Sequence, residues 1–234
     1  MWQELMDEVR DQQALFDVAV RDWIAVHALK KGTIHCSRGC HACCSLAVNC
    51  TFTEALAVSG ALADRHAAAL AHHAMEIRAA AFSAPDFPSF LRARRTLGGC
   101  PFLDGDGACG VYGQRPFSCR SLLATRESRW CGADFSTLSR EEKQAFVESL
   151  DQTVVAFPMH YVKSTQDLGQ DFEQCAANRM AETFSFSLYG NLPILVFLER
   201  EHRLSETAAR GMDAVRELVE RAGCNHPFLV TFSP

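Results

Sequence analysis

Cys36-Ser37-Arg38-Gly39-Cys40-His41-Ala42-Cys43-Cys44 places four thiols in nine residues. The three-residue step from Cys40 to Cys43 brings two sulfurs towards one metal, because a turn of that length converges the side chains while backbone amides point at the thiolates. The adjacent pair Cys43-Cys44 is more demanding. Neighbouring side chains diverge by about 100° on a helix and point oppositely on a strand, so both serve one ion only in a sharp turn. Otherwise Cys44 is a small thiol facing the core. The stretch therefore reads as an irregular loop held by structure on either side.

Helices are what lie on either side. Residues 2–30 carry Trp2, Leu5, Met6, Val9, Phe16, Val20, Trp23, Ile24 and His27 at three- and four-residue steps, and Lys30-Lys31-Gly32 supplies a stop. Downstream, Thr51-x-x-Glu54 is a capping box that predicts an alanine-rich helix to about residue 82. A turn follows at 83–88, and then a basic helix over 89–97. Helical pattern resumes at a second capping box, Ser139-x-x-Glu142, and a last helix is expected over 206–222. Over 171–199 the alternation of Phe184, Phe186 and Leu188 fits a strand, whereas Ala177, Met180, Ala181, Phe184 and Leu188 fit a helix; helix is the preferred reading. The expected fold is mainly α, a single domain over 1–234. It has an N-terminal helix 1–30, a helical region 139–223 and a cysteine-cluster region of about 36–120.

That region holds a second group, Cys100, Cys109 and Cys119, spaced about ten residues apart. Gly98-Gly99 breaks the preceding helix, and Asp104-Gly105-Asp106-Gly107 turns between two short apolar pieces, which predicts a small β-hairpin or irregular loop. Seven thiols from two remote segments are how a metal site ties a fold together. Seven thiolates on one divalent ion would leave about five negative charges in a partly buried site, which is severe. One zinc takes four ligands and one iron–sulfur cluster takes four thiolates, so two sites or a polynuclear one use the inventory best. Arg38, Arg115 and Arg120 stand beside these cysteines and are candidates to offset the charge. Pro116 favours the first turn of a helix, which would put Cys119 at a helix start where amides and dipole lower a thiol's pKa.

Cys36-Ser-Arg-Gly-Cys40-His-Ala-Cys43-Cys44, Cys100-Pro-Phe-Leu, Cys109-Gly-Val-Tyr and Arg115-Pro-Phe-Ser-Cys119-Arg120, in that order, resemble the YkgJ family of cysteine-cluster proteins. The resemblance covers residues 36–120. It implies a zinc- or iron-chelating domain, with a motif that recurs in flagellin lysine methylases. The first gap holds three residues where many relatives have two, and the flanking helices inherit nothing from the motif.

Other readings fit less well. Cys36-x3-Cys40-x2-Cys43 has the spacing of the radical S-adenosylmethionine triad, but Ala42 replaces the usual aromatic and no alternating strands and helices follow. A zinc ribbon would need a second Cys-x2-Cys knuckle. A calcium loop from Asp104 would place its bidentate Glu where Arg115 stands. His35 and His41 flank ligands without a spacing signal of their own. Cys131 is a candidate eighth donor; Cys50 reads as core, and Cys175 and Cys224 as bystanders.

The eleven cysteines are an odd number in a chain large enough to do without disulfide staples, and eight of them lie between 36 and 119. In a reducing compartment that favours metal or redox chemistry. The first eleven residues are acidic where a secretory leader would be basic, and Ile194–Leu198 is too short to span a bilayer, so a cytoplasmic protein without a membrane segment is expected. A net charge of −5 argues against nucleic acid as partner. No carboxylate pair, nucleophile elbow, phosphate loop or Rossmann fingerprint names a substrate. The sequence thus predicts a metal-binding protein. It holds iron, as an iron–sulfur cluster or a polynuclear site, or zinc, through Cys36, Cys40, Cys43, Cys44, Cys100, Cys109 and Cys119. A metal-dependent modifying enzyme and a zinc-stabilised interaction module are the alternatives, with a protein as partner or substrate.

Overall fold

The computed structural model describes residues 1–234, and both capping boxes form in it. Thr51 Oγ1 accepts from Glu54 N–H while the Glu54 carboxylate accepts from Thr51 N–H, opening α2 (Phe52–Ala61). Ser139 and Glu142 repeat the exchange at α6 (Arg140–Glu148). The N-terminal helix α1 runs Trp2–Leu29 and buries Leu5, Val9, Gln13 and Phe16. Its aromatic side chains dock on distant partners: Trp2 stacks on Phe184 at 4.4 Å and Phe16 meets Phe117 edge-on at 5.8 Å.

The alanine-rich helix expected over 51–82 is two helices, α2 and α3 (Ala67–Ser83), joined through a 3-10 turn at Asp64–His66. The break depends on a residue far along the chain. Arg200 donates to the Ser59 and Leu62 carbonyls and pairs with Asp64 at 2.7 Å, taking acceptors that a continuous helix would have used. The basic helix α4 (Phe87–Thr96) is capped by Asp86, whose side chain accepts from Ser89 N–H. Next comes α5 (Phe117–Arg120), a single turn behind Pro116.

The reading of 171–199 as helix is corrected in part. Helix α7 (Lys163–Phe184) ends at Ser185, which adopts a left-handed φ of 64°, and Ser187–Asn191 is a strand, β2. It lies between β1 (Asn49–Thr51) and β3 (Val230–Ser233) in an antiparallel sheet ordered β1-β2-β3. The alternation of Phe184, Phe186 and Leu188 runs into this strand, but the pairing that decides for it, with β1 about 140 residues away, leaves no local trace. At Gly190 a Cβ would sit 2.3 Å from the Leu229 carbonyl oxygen, so the chain crossing there requires glycine.

Three more helices, α8 (Leu192–His202), α9 (Leu204–Ala208) and α10 (Met212–Arg221), complete the chain. The helix expected over 206–222 is divided at Gly211, whose φ is +97°. The fold is mainly helical, as expected, and its largest apolar core joins α2, α3, α8 and the sheet through Phe52, Ile77, Leu188, Ile194 and Leu195. No helix is long and apolar enough to cross a membrane.

Candidate metal centre

The first cysteine block enters from α1 as an extended loop. His35 N–H donates to the Ala124 carbonyl, and Ala124 N–H donates to Cys36 Sγ at 3.3 Å. Cys36 as a residue is exposed, but its sulfur is packed against the 122–124 segment, and burial pushes its thiol up. Residues Ala42–Ser45 then form one 3-10 turn, the sharp turn that the adjacent cysteines require. The adjacent Cys44 thiol, with help from Arg115, holds the Cys43 thiol down to about 7, and Cys43 in turn drives the Cys44 thiol up.

The second block is a hairpin. Leu103 bridges Cys109 antiparallel, Asp104 N–H donates to Ala108 O, and Gly107 closes the turn at φ +81°. Asp104 is engaged by Arg65 at 2.8 Å and by His66 at 3.2 Å, so the acidic turn is a latch. Buried Phe102 and Val111 anchor the two arms. Their N–H groups point at the sulfurs two residues upstream, Cys100 and Cys109, and favour the thiolates there. Burial is larger: it raises Cys109 and pushes Cys100 up to about 12.

Cys119 stands on α5, whose first amide, Phe117 N–H, donates to Glu54 Oε1 at 2.8 Å. Thr51 N–H and hydroxyl donate to the other oxygen, so one fully buried carboxylate caps α2 and holds the Cys119 turn. The expected lowering of the Cys119 pKa is overturned. Burial, and then the neighbouring Cys100 charge, place it well above the usual thiol range, and a four-residue helix does not offset them.

All eleven cysteines are free thiols. Cys43 lies within charge range of Cys36, Cys44, Cys100, Cys109, Cys119 and Cys131. Cys40 belongs to the same neighbourhood through Cys36 and Cys131. Nowhere do three Cys, His, Asp or Glu side chains close to coordinating geometry around one point. The donor chemistry nonetheless fits a soft, thiolate-bound cation. Sulfurs from separate segments crowd together, amides are aimed at three of them, and their mutual charges oppose ionisation unless a cation is shared.

The arginines divide. Arg115 lies 3.8 Å over the Tyr112 ring and within charge range of Cys36, Cys43, Cys109 and Cys119. Arg38 is exposed. Arg120 turns away to Asp17 at 2.6 Å and to the Gly113 and Arg115 carbonyls, fastening α1 to α5. The cation that the sequence did not mark is Arg94. It is buried, donates to the Cys44 carbonyl at 3.0 Å and the Gly98 carbonyl at 2.8 Å, and lies within charge range of Cys44 and Cys100. It forms no ion pair with any carboxylate, and it joins the two cysteine blocks.

A third segment also arrives. Ser128–Trp130 turns into buried Cys131, and a Cβ on Gly132 would lie 3.2 Å from the Ala42 carbonyl oxygen. Cys131, Ala124 and Tyr161 pack with Cys43 and Leu46. Cys50 and Cys224 are buried in the main core, and Cys175 is exposed beside Gln12. His41 stays at the rim, its Nδ1 3.1 Å from the Gly39 carbonyl oxygen.

Residues 35–149 match the family model CxxCxxCC, described as a "putative zinc- or iron-chelating domain". The match extends past Cys119 to take in Cys131. No curated protein and no solved structure matches the chain.

Proposed function

Because residues 35–149 belong to the CxxCxxCC family of zinc- or iron-chelating domains, of the YkgJ type, we propose that this protein holds a polynuclear iron centre, an iron–sulfur cluster among its forms. The donors are drawn from Cys36, Cys40, Cys43, Cys44, Cys100, Cys109 and Cys119, with zinc as the alternative metal. The observation that carries the reading is the position of Cys43, which has thiol neighbours from the 36–44 loop, the 100–109 hairpin and α5. The neighbours fall into two sets. Cys44, Cys100 and Cys119 feel one another's charge, with Cys109 beside Cys100; Cys36 lies within charge range of Cys40 and Cys43. Four thiolates are the complement of one cluster or one tetrahedral zinc, and the remainder supports a second metal position.

We read the chain as one cytoplasmic domain, since free thiols in this number persist where the surroundings are reducing. When bound, the metal supplies cross-linking of three remote segments and, if iron, one-electron chemistry. Anaerobic purification followed by iron, zinc and acid-labile sulfide analysis is the test. More than one iron per chain with sulfide and a brown colour supports the reading; a colourless protein with stoichiometric zinc favours a zinc-stabilised module. A chain that takes up neither metal refutes it.

A further inference from the structure

His160 lies outside the family match, and nothing in its sequence surroundings marks it. It is 1% exposed, and its Nε2 stands 3.4 Å from Cys131 Sγ, itself 7% exposed. The imidazole is held from several directions. Thr125 N–H and hydroxyl both donate to the His160 carbonyl, at 3.0 and 2.8 Å, Phe146 meets the ring edge-on, and Tyr161 lies against it at 4.3 Å. The partner thiol is held too: the Cys131 carbonyl accepts from Tyr161 hydroxyl, and Gly132 abuts the Ala42–Ser45 turn that carries Cys43. No other protein group takes the polar atoms of the ring, and Nδ1 has no partner.

The separation is informative. Zn–S bonds of about 2.3 Å and Zn–N bonds of about 2.0–2.1 Å at a tetrahedral angle put two ligand atoms of one ion about 3.6 Å apart. A sulfur and an imidazole nitrogen at 3.4 Å, both fixed by backbone clamps, are close to that spacing. Cys43 packs against the cluster that holds Cys131, and Cys43, Cys36 and Cys40 lie within charge range of its sulfur.

We propose that Cys131 and His160 are a donor pair for a second metal position at the Cys36–Cys40 end of the thiol cluster, giving that position a mixed sulfur–nitrogen ligand set. The class of ligand is a divalent first-row ion that accepts thiolate and imidazole together, such as zinc, iron or cobalt. The inference rests on the proposed metal-binding function and adds a nitrogen donor from beyond residue 149.

Cobalt(II) added to the reduced apo-protein is the probe, because its visible spectrum reports ligand type. Wild type, H160A, H160C and C100A are compared for cobalt bound per chain, for the visible spectrum and for resistance to a competing chelator. H160A is expected to lose one cobalt per chain, or to hold it more than about tenfold less tightly. H160C should recover it with stronger sulfur-to-metal charge-transfer absorption. C100A should lose cobalt from the other set, with the mixed-ligand bands intact. An H160A protein with the wild-type stoichiometry and spectrum overturns the proposal and leaves the pair as a core S–H···N hydrogen bond. Should H160A fail to fold, H160C decides alone, since unchanged charge-transfer absorption has the same meaning. A wild-type protein that binds no cobalt, zinc or iron refutes the underlying metal reading instead.

Discussion

The sheet-and-helix half and the cysteine half of this molecule are held together by different forces. The first closes on itself: twenty-nine buried side chains, most of them from α2, α3, α4, α8–α10 and the sheet, form one continuous apolar body, which Met180 of α7 and Phe102 and Val111 of the cysteine hairpin also join. Beyond that hairpin the second has nothing comparable. Around Cys43 the buried apolar set is Ala124, Cys131 and Tyr161, and the loops lean instead on polar clamps such as Arg94 to Cys44, His35 to Ala124 and Thr125 to His160. Apolar burial is non-directional and roughly proportional to area, so it stabilises the first half whether or not a metal is present. The cysteine half has charge-repelling thiols at its centre, and a cation bound there would be its main source of stability.

The largest expected effect separates the halves from the apolar side. Ile194 is fully buried in α8, and Ile194→Ala should cost about 2–5 kcal/mol through lost transfer energy and a residual cavity. The cost should be the same, within error, for metal-loaded and chelator-treated protein in urea melts. A penalty that appears only in the loaded form would show that the two halves are not independent.

Next comes the seam between them. Glu173 on α7 faces Glu54, Tyr189, Ser118 and Cys50, and burial, with Glu54 adding to it, pushes its carboxyl up to about 8. A carboxyl whose pKa is raised by folding keeps a proton that the unfolded chain has released, so stability declines as pH rises from the ordinary carboxylate range through about 8. Glu173→Gln removes that decline. Relative to wild type it should gain about 2–3 kcal/mol between about pH 6 and pH 9, at about 1.4 kcal/mol per unit. Parallel urea melts at the two pH values check it, and a constant difference between the proteins would contradict the assignment.

Arg94 tests the other half. A buried guanidinium without a carboxylate is costly unless some other negative charge faces it, and here Cys44 and Cys100, whose thiols are held protonated by burial and by neighbouring thiols, would supply that charge on binding a metal as thiolates. Arg94→Met should weaken metal retention against a chelator by roughly 10–100-fold, the scale of losing an outer-shell partner, and Arg94→Lys should restore part of it. Equal retention in both variants would make Arg94 a clamp of backbone carbonyls only.

What was legible in the sequence follows the same division. The capping boxes at Thr51 and Ser139 and the helices they open are local, and the structure has both. The three cysteine blocks were legible as a motif because the residue types are rare and their order is specific. The divided alanine-rich helix was not, since Arg200 ends α2 from 138 residues away. Nor was β2 decided locally, since its strand alternation competed with a helical pattern and its partner strands, 49–51 and 230–233, are remote in sequence. Arg94 and His160 carried no signal because one arginine on a basic helix and one histidine in a loop look ordinary until the fold delivers them to the thiols. The Cys119 expectation failed for a related reason. A helix start is visible in sequence, but the burial that outweighs it is not.

The smallest effect concerns two cysteines that the sequence treats alike as thiols and the fold separates. Cys119 is in the thiol cluster; Cys224 follows Gly223 beyond α10, fully buried, its thiol donating to the Ala222 carbonyl. Full burial revises the expectation that a change at Cys224 is silent. Cys224→Ala should cost about 1 kcal/mol from one lost buried sulfur, with metal content unchanged. Cys119→Ala should lower the metal bound per chain and destabilise the loaded protein, yet move the apo-protein less than Cys224→Ala does, because the Cys119 residue is only partly buried. Metal analysis of both variants, and melts of each loaded and apo, separate the two. The comparison of the two halves survives only if metal loss tracks Cys119 while the apo stability loss tracks Cys224.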